Sequence, residues 1–545
     1  MPVNYREQTV LIVDDLREMR MSVRAMVDAL QVKQVCEAKS AEEARLLLTK
    51  TKFDMVLCDY NLGDGKDGQQ LFEEAQAERL LSSHAIWIMI TAENTMNMVM
   101  GVVEHHPDGY LVKPINKAVL QVRLERVLAR KAIVMEIEAA LLDTEFERAR
   151  ELCDQQLAKY PGMRADLLRM KAEALLRTGA LDAASEICAE VLNEREVPWA
   201  MLYLARARHQ SGDLQQAKGM LARLLEQHPT TIEGYEALAR IEHEQGDPKA
   251  AQRVLAQAIA VSPRSIRRQQ RLADLAQENA DFATAEKAYR RALQMGENSC
   301  FGRPEDQAGV IEAVTGAKGP AAGLKILNDL GKRGRRAEVP HWRLGLVEAR
   351  LLHASGEAEG ASAVVARTLE QYHADSAPAA ATAILDLIKI CYQCGHTEAA
   401  QKLADKLVRE NHDRQDVIAK LGVVYEVIGL QAEGAALIEQ AQNAVVAINN
   451  RGVQLAKGGD YAAAIKLLTQ AADELPSNLT VTLNVLQALM LQIKVEGITA
   501  QRRMVANEYL GRAMRIAPTA EKVLKLRQQI LVLGAPPASQ QAKAG

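Results

Sequence analysis

The sequence predicts a multidomain chain, an α/β doubly wound parallel sheet followed by an all-α superhelix of paired helices. Three observations carry that expectation. Its 545 residues exceed what one domain ordinarily holds. Short apolar runs alternate with helical stretches over residues 1–130, and beyond them the runs vanish. What replaces them is a glycine recurring every 33 or 34 residues, in a composition with only 4% aromatic residues.

In the first part, TVLIVDD (9–15), FDMVLCDYNL (53–62), AIWIMITAE (85–93) and GYLVKP (109–114) read as buried strands. Helical patterns such as 17–30 and 40–50 lie between them. Strands alternating with helices imply a parallel sheet with right-handed crossovers. Such sheets place function at the carboxyl ends of their strands. Here those ends carry Asp14 and Asp15, Asp59, Thr91 and Lys113.

Residues 116–142 contain no Gly or Pro, which predicts a helix of about 40 Å at 1.5 Å per residue. Its first half would close the sheet domain and its second half would open the helical part. The competing expectation is a break near Arg130.

From residue 131 to 520 the spacing predicts about ten helix pairs. Gly179, Gly212 and Gly246, with Ala280 in the equivalent place, are each followed five residues later by alanine, at 184, 217, 251 and 285. The same pattern returns at Gly356/Ala361, Gly395/Ala400 and Gly459/Ala464, and prolines 161, 229, 263 and 476 close units. Such units are a helix, a tight turn and a second helix whose alanine lets the two approach closely. The period resembles the tetratricopeptide repeat, best matched at 450–478 by Gly452, Tyr461, Ala464, Ala471 and Pro476. That resemblance implies a surface for protein partners. Residues 297–340 are irregular, as a degenerate repeat or a break would be. Residues 521–545 lose the periodicity, and 534–545 read as a disordered tail.

A formal net charge of -3 argues against nucleic-acid binding by bulk electrostatics. The basic runs 263–271 and 331–336 therefore read as solvated faces or loops. No targeting segment and no run of about 18 apolar residues is visible. Seven scattered cysteines argue for a reducing compartment, and with these signals for a cytoplasmic protein. Cys391 and Cys394 form a lone CxxC, read as small core residues rather than a zinc or redox site.

The strand-end set of Asp14-Asp15, Asp59, Thr91 and Lys113-Pro114 resembles the receiver domain of two-component response regulators over residues 9–130. The resemblance implies a flavodoxin-like fold for residues 1–130. It also implies that Asp59 accepts a phosphoryl group from a histidine kinase or phosphotransfer protein. By family position, Mg2+ would be bound by Asp15, Asp59 and the Asn61 carbonyl, and by Asp14 through water. Lys113 would neutralise phosphoryl oxygens, Thr91 would bond the phosphate, and Tyr110 would turn inward as Thr91 moves. Asn61 and Glu93 match receivers that lose phosphate quickly. The segment GVVEHHPDGYLVKP (101–114) departs from the family, and His105 and His106 there read as loop residues.

Repeat phase assigns Trp199, Leu202, Arg206 and His209, then Glu233, Glu236, Arg240 and His243, then Arg267, Gln270, Asp274 and Gln277 to the groove. Trp199, Arg206 and Arg240 are the candidate partner contacts. This mixed surface lacks the Lys/Asn clamp that similar repeats use for chaperone tails. The chain thus reads as a response regulator whose output is protein binding, without an enzymatic or DNA-binding output domain. The alternative is a constitutive scaffold whose receiver drains phosphate. A third reading, repeats acting on another regulator's phosphate, finds no groove Gln or Glu placed for it.

Overall fold

The structure is a computed structural model that describes residues 5–92, 107–303, 305–333, 342–375, 379–517 and 520–534. It divides into two compact units, Met1–Gly319 and Pro320–Gly545.

The first unit opens with β1 (Thr9–Val13), α1 (Arg17–Asp28), β2 (Gln34–Ala38), α2 (Ala41–Lys50), β3 (Met55–Asp59), α3 (Gly68–Ala77), β4 (Ile86–Thr91) and β5 (Gly109–Val112). The strands pair in parallel in the order β2-β1-β3-β4-β5, the order of flavodoxin-like doubly wound sheets. The apolar runs are continuous because both faces are covered. Leu11, Val13, Val56, Trp87 and Met89 meet Ala44 and Leu48 of α2 and Leu71 and Phe72 of α3. Val10, Ile12, Leu57 and Ile88 meet Val23 and Val27 of α1 on the other face.

Strand β2 is absent from the apolar runs read off the sequence, and its composition explains why. It lies at the sheet edge, its central residues are only half-buried, and it carries Gln34 and Glu37.

Helix α4 (Lys117–Leu142) is unbroken over 26 residues, with no fray at Arg130. Asn116 caps it by accepting the Val119 N–H. Leu120, Leu124 and Val127 belong to the sheet core. Val134, Ile137 and Ala140 belong instead to a core with Ala149, Cys153 and Leu167 of the helices that follow. Between these halves Arg130 pairs with Asp166 at 2.9 Å and Glu138 at 3.2 Å, while Lys131 reaches Glu138 at 2.7 Å. One helix thus belongs to two cores.

The unit continues as α5 (Phe146–Lys159), α6 (Arg164–Thr178), α7 (Leu181–Glu194), α8 (Pro198–Gln210), α9 (Leu214–Gln227), α10 (Ile232–Glu244), α11 (Pro248–Val261), α12 (Ile266–Glu278), α13 (Phe282–Gly296) and α14 (Glu305–Lys318). The turns before α7, α9 and α11 pass through Gly179, Gly212 and Gly246 at φ 79, 86 and 82°. Ala280 adopts φ 56° in the same place, and Thr144 adopts φ 59° before α5. Ala149, Ala184, Ala217, Ala251 and Ala285 are all 0% exposed, as close helix contact requires. Asp213, Asp247 and Asp281 cap the helices after three of the turns.

Within the irregular stretch after residue 297, α14 packs against α13, the last helix before it. Its entry is fixed by Arg303, which bonds Asp274 and Asp306 at 2.7 Å each.

The second unit holds α15 (Pro320–Arg333), α16 (Trp342–Ala354), α17 (Ala358–Ala374), α18 (Ala381–Gln393), α19 (Thr397–Glu410), α20 (Gln415–Val427), α21 (Gln431–Lys457), α22 (Tyr461–Glu474), α23 (Leu479–Glu496), α24 (Ala500–Ile516) and α25 (Glu521–Gly534). Gly356, Gly395, Gly429 and Gly459 make its left-handed turns. After Gly429 the small residue is Gly434, where an added Cβ would stand 2.3 Å from the Tyr425 ring. Helix α21 extends over 27 residues, and Gly452 near its end presses on Leu468 of α22. Residues 521–534, which show no repeat periodicity, are helical and bury Val523, Leu526 and Ile530. The tail after Gly534 lies outside the described residues. Among the described residues no helix is long and apolar enough to cross a membrane.

Candidate functional site

Parallel pairing gathers Asp14, Asp59, Thr91 and Lys113 at one edge of the sheet. Asp14 follows β1, Asp59 ends β3, Thr91 ends β4 and Lys113 follows β5. Lys113 N donates to the Thr91 carbonyl at 2.8 Å, so the ends of β4 and β5 stay in register. Lys113 Nζ reaches Asp59 Oδ2 at 2.9 Å and Asp14 Oδ2 at 3.2 Å.

Asp14 is 2% and Asp59 5% exposed, while Asp15 is half-buried. Each offers a carboxylate oxygen within 4.8 Å of the others'. Among the described residues this is the one group of three or more His, Cys, Asp or Glu placed to share an ion. Burial pushes the Asp59 carboxyl above its ordinary range, against the Lys113 hydrogen bond and charge and with the charge of Asp14 adding to the rise. Burial acts to lower Lys113, but the hydrogen bonds and charges of Asp59 and Asp14 outweigh it and hold the ammonium protonated. One ammonium cannot neutralise three carboxylates, two of them buried, so the donor set suits a hard dication.

Local backbone chemistry shapes the cup. Asp14 Oδ1 accepts the Leu16 N–H at 2.8 Å, and Arg20 Nη1 bonds the carbonyls of Asp14 and Asp15 at 2.7 and 3.1 Å. Gly68 has no room for a side chain, since a Cβ would lie 2.1 Å from the Asp59 carbonyl oxygen. Gly63, at φ 77°, sits over Asp15. These two glycines and Arg20 shape the site and were not singled out in the sequence.

Asn61 is exposed and Tyr110 is half-buried. Burial raises the Tyr110 hydroxyl. Glu93, His105 and His106 lie outside the described residues.

In the repeats, Trp199 packs edge-on against Tyr203, and Arg206 lies over the same Tyr203 ring at 5.6 Å. Arg240 lines a cavity of about 530 Å³ with Glu233, Glu236 and Arg267. Glu236 has Arg206, Arg240 and Arg267 within electrostatic reach and bonds Arg268 at 3.2 Å. The chain therefore supplies an acid of its own among the groove arginines. His209 meets Glu244 at 2.5 Å and His243 meets Glu278 at 2.9 Å, each spanning one repeat.

The basic run 263–271 departs from its solvated reading. Arg268 is buried and bonds the Ser262 carbonyl at 2.7 Å, and Arg267 stacks on Phe301 at 4.0 Å. Cys391 is buried in α18, where burial pushes its thiol up to about 12.

Comparison with known proteins gives two family matches, a response regulator receiver domain over residues 10–125 and a tetratricopeptide repeat over residues 198–241. The chain is similar to chemotaxis protein CheY-3 of Vibrio cholerae, 31% identical over 125 residues that make up 23% of this chain and 95% of the relative. It is 29% identical to CheY of Pseudomonas aeruginosa over 121 residues, 22% of this chain and 96% of that one. The solved structure of CheY4 from Vibrio cholerae matches 22% of this chain and 99% of its own at 26% identity, with a TM-score of 0.21. The sheet order, the strand-end residues, the two family matches and the 31% identical relative agree: the chain belongs to the response regulators, with a receiver domain at its N-terminal end and tetratricopeptide repeats after it.

Proposed function

We propose that Asp59 accepts a phosphoryl group from the phosphohistidine of a histidine kinase or phosphotransfer protein, and that the repeats carry the signal by binding a protein partner. The observation that supports this most is the Lys113 ammonium bridging Asp59 and Asp14 inside a three-carboxylate cup. In the transfer an Asp59 oxygen attacks phosphorus, the P–N bond breaks, and the imidazole leaves as an acyl phosphate forms. Lys113 offers its charge to the phosphoryl oxygens where negative charge concentrates. Thr91, at the end of β4, donates its hydroxyl to the new phosphate, and Tyr110 follows it inward.

Asp15, Asp59 and the Asn61 carbonyl would hold Mg2+, with Asp14 behind them. When bound, the cation neutralises the carboxylates and the transferred group. Loss of the signal is hydrolysis, in which water attacks phosphorus, inorganic phosphate leaves and the carboxylate returns. In this reading Asn61 and Glu93 are the positions that tune that hydrolysis, and the signal is short-lived. The receiver catalyses only these steps on itself. The domain limits proposed are 1–130 for the receiver, with α4 shared, and 131–520 for the repeats, with 521–545 as the C-terminal end.

The test is affinity capture from a native lysate with acetyl phosphate and Mg2+ present or absent, comparing wild type, Asp59→Asn and Asp59→Ala. A partner held in one phosphorylation state, with that dependence lost in both variants, supports the switch. Identical capture in every lane contradicts it and favours the constitutive scaffold with a phosphate-draining receiver.

A further inference from the structure

The acidic site meets the repeats a second time, away from α4. Tyr60 stands between Asp59 and Asn61, is buried, and its hydroxyl accepts a hydrogen bond from Arg264 Nη1 at 2.9 Å. Asn298 Nδ2 donates to the Gly65 carbonyl at 3.2 Å, and Gln70 Nε2 donates to the Met295 carbonyl at 3.2 Å. Three polar contacts thus tie the loop after β3 and the start of α3 to the α11–α12 connection and the end of α13. They border a cavity of about 630 Å³.

Both sides of this contact are stiff. On the receiver side, Tyr60 N donates to the Ile90 carbonyl and the Tyr60 carbonyl accepts from Gly68 N, each at 2.8 Å. Gly68 in turn presses on the Asp59 carbonyl. On the repeat side, the connection is held by Arg268 on Ser262, and the segment after α13 by Gln270, which bonds the Phe301 carbonyl at 3.0 Å and Asp306 at 2.8 Å. Tyr60 therefore cannot shift without disturbing Asp59 on one side and Arg264 on the other.

We propose that this contact is a latch. Loading the acidic site reshapes residues 59–61 and releases the latch, and breaking the latch favours loading. The inference rests on Asp59 being the phosphoacceptor, and adds to it a route by which the array reports on the site and acts back on it. Linkage demands that reciprocity: a partner that pulls the α11–α12 connection away would promote phosphorylation by the factor through which phosphorylation promotes its binding.

The test uses the full chain as wild type, Arg264→Ala and Tyr60→Phe, with Arg253→Ala as a surface control. Each is titrated with beryllofluoride in Mg2+ by calorimetry, and amide exchange is followed across 262–268 and 294–301. The expected result is about 2–10-fold tighter uptake in both latch variants, the range one hydrogen bond supplies, with wild-type affinity in the control. Exchange in the two segments should also quicken when wild type is loaded. Equal or weaker uptake in the latch variants overturns the latch, as does exchange that loading leaves unmoved. Wild type that takes up no beryllofluoride contradicts the reading of the acidic site itself, and the latch with it.

Discussion

Lys113 Nζ lies 2.9 Å from Asp59 Oδ2, so the ammonium holds the carboxylate that the proposed chemistry must free for attack. It also reaches Asp14 at 3.2 Å and thereby competes with a cation for both acids. Lys113→Ala should consequently bind Mg2+ more tightly than wild type, yet lose about 100-fold in phosphorylation rate for want of a charge on the phosphoryl oxygens. Metal titration beside acetyl phosphate labelling separates the two effects. Weaker metal binding in the variant would contradict this division of roles.

Asp59→Asn should stabilise the chain when no divalent ion is present. Burial raises the folded-state pKa of Asp59, so its charge costs the folded state at neutral pH. The gain should be complete above the raised pKa and vanish as pH falls below the ordinary carboxylate value. Mg2+ should reverse the order, since it stabilises wild type and finds one ligand fewer in the variant. Thermal unfolding with and without chelator measures both signs.

Two glycine-to-alanine changes should act in opposite directions. At Gly309 in α14 a Cβ would stand 2.4 Å from the Tyr289 ring, so the close pairing with α13 must open, at about 1–3 kcal/mol. Gly219 in α9 is exposed and has nothing within 4 Å, so alanine there should stabilise by about 0.5–1 kcal/mol through helix propensity. Denaturant unfolding of each variant checks the pair.

Ala280→Gly should stabilise by about 1 kcal/mol, because alanine there holds φ 56° where the neighbouring repeats use glycine. The position was legible from spacing alone, as were the left-handed turns at Gly179, Gly212 and Gly246. Spacing could also have found the next turn, since Gly429 follows Gly395 by 34 residues. That turn was hidden because its small residue is Gly434 rather than alanine. The following interval then shortens to 30 residues, where the single helix α21 serves two units.

The receiver's strand ends were legible for a related reason. A buried parallel strand must be apolar throughout, so the first charged residue after it marks the end of the strand, as Asp14 does after β1. Strand β2, with Gln34 and Glu37 among its five residues, gave no such contrast. The contact between Tyr60 and Arg264 could not be read at all, because 204 residues separate them and no period links a loop tyrosine to a basic run. Arg268 misled for the same reason, since its burial depends on Ser262 and Glu236 folding around it.

The most direct measurement is intact-mass analysis of the full chain after acetyl phosphate and Mg2+, for wild type and Asp59→Asn, repeated with a chelator. The account predicts one phosphoryl group per wild-type chain, mapped to Asp59, and none in the variant or without the metal. A wild-type chain that stays unlabelled, or a label that survives in Asp59→Asn, would contradict it.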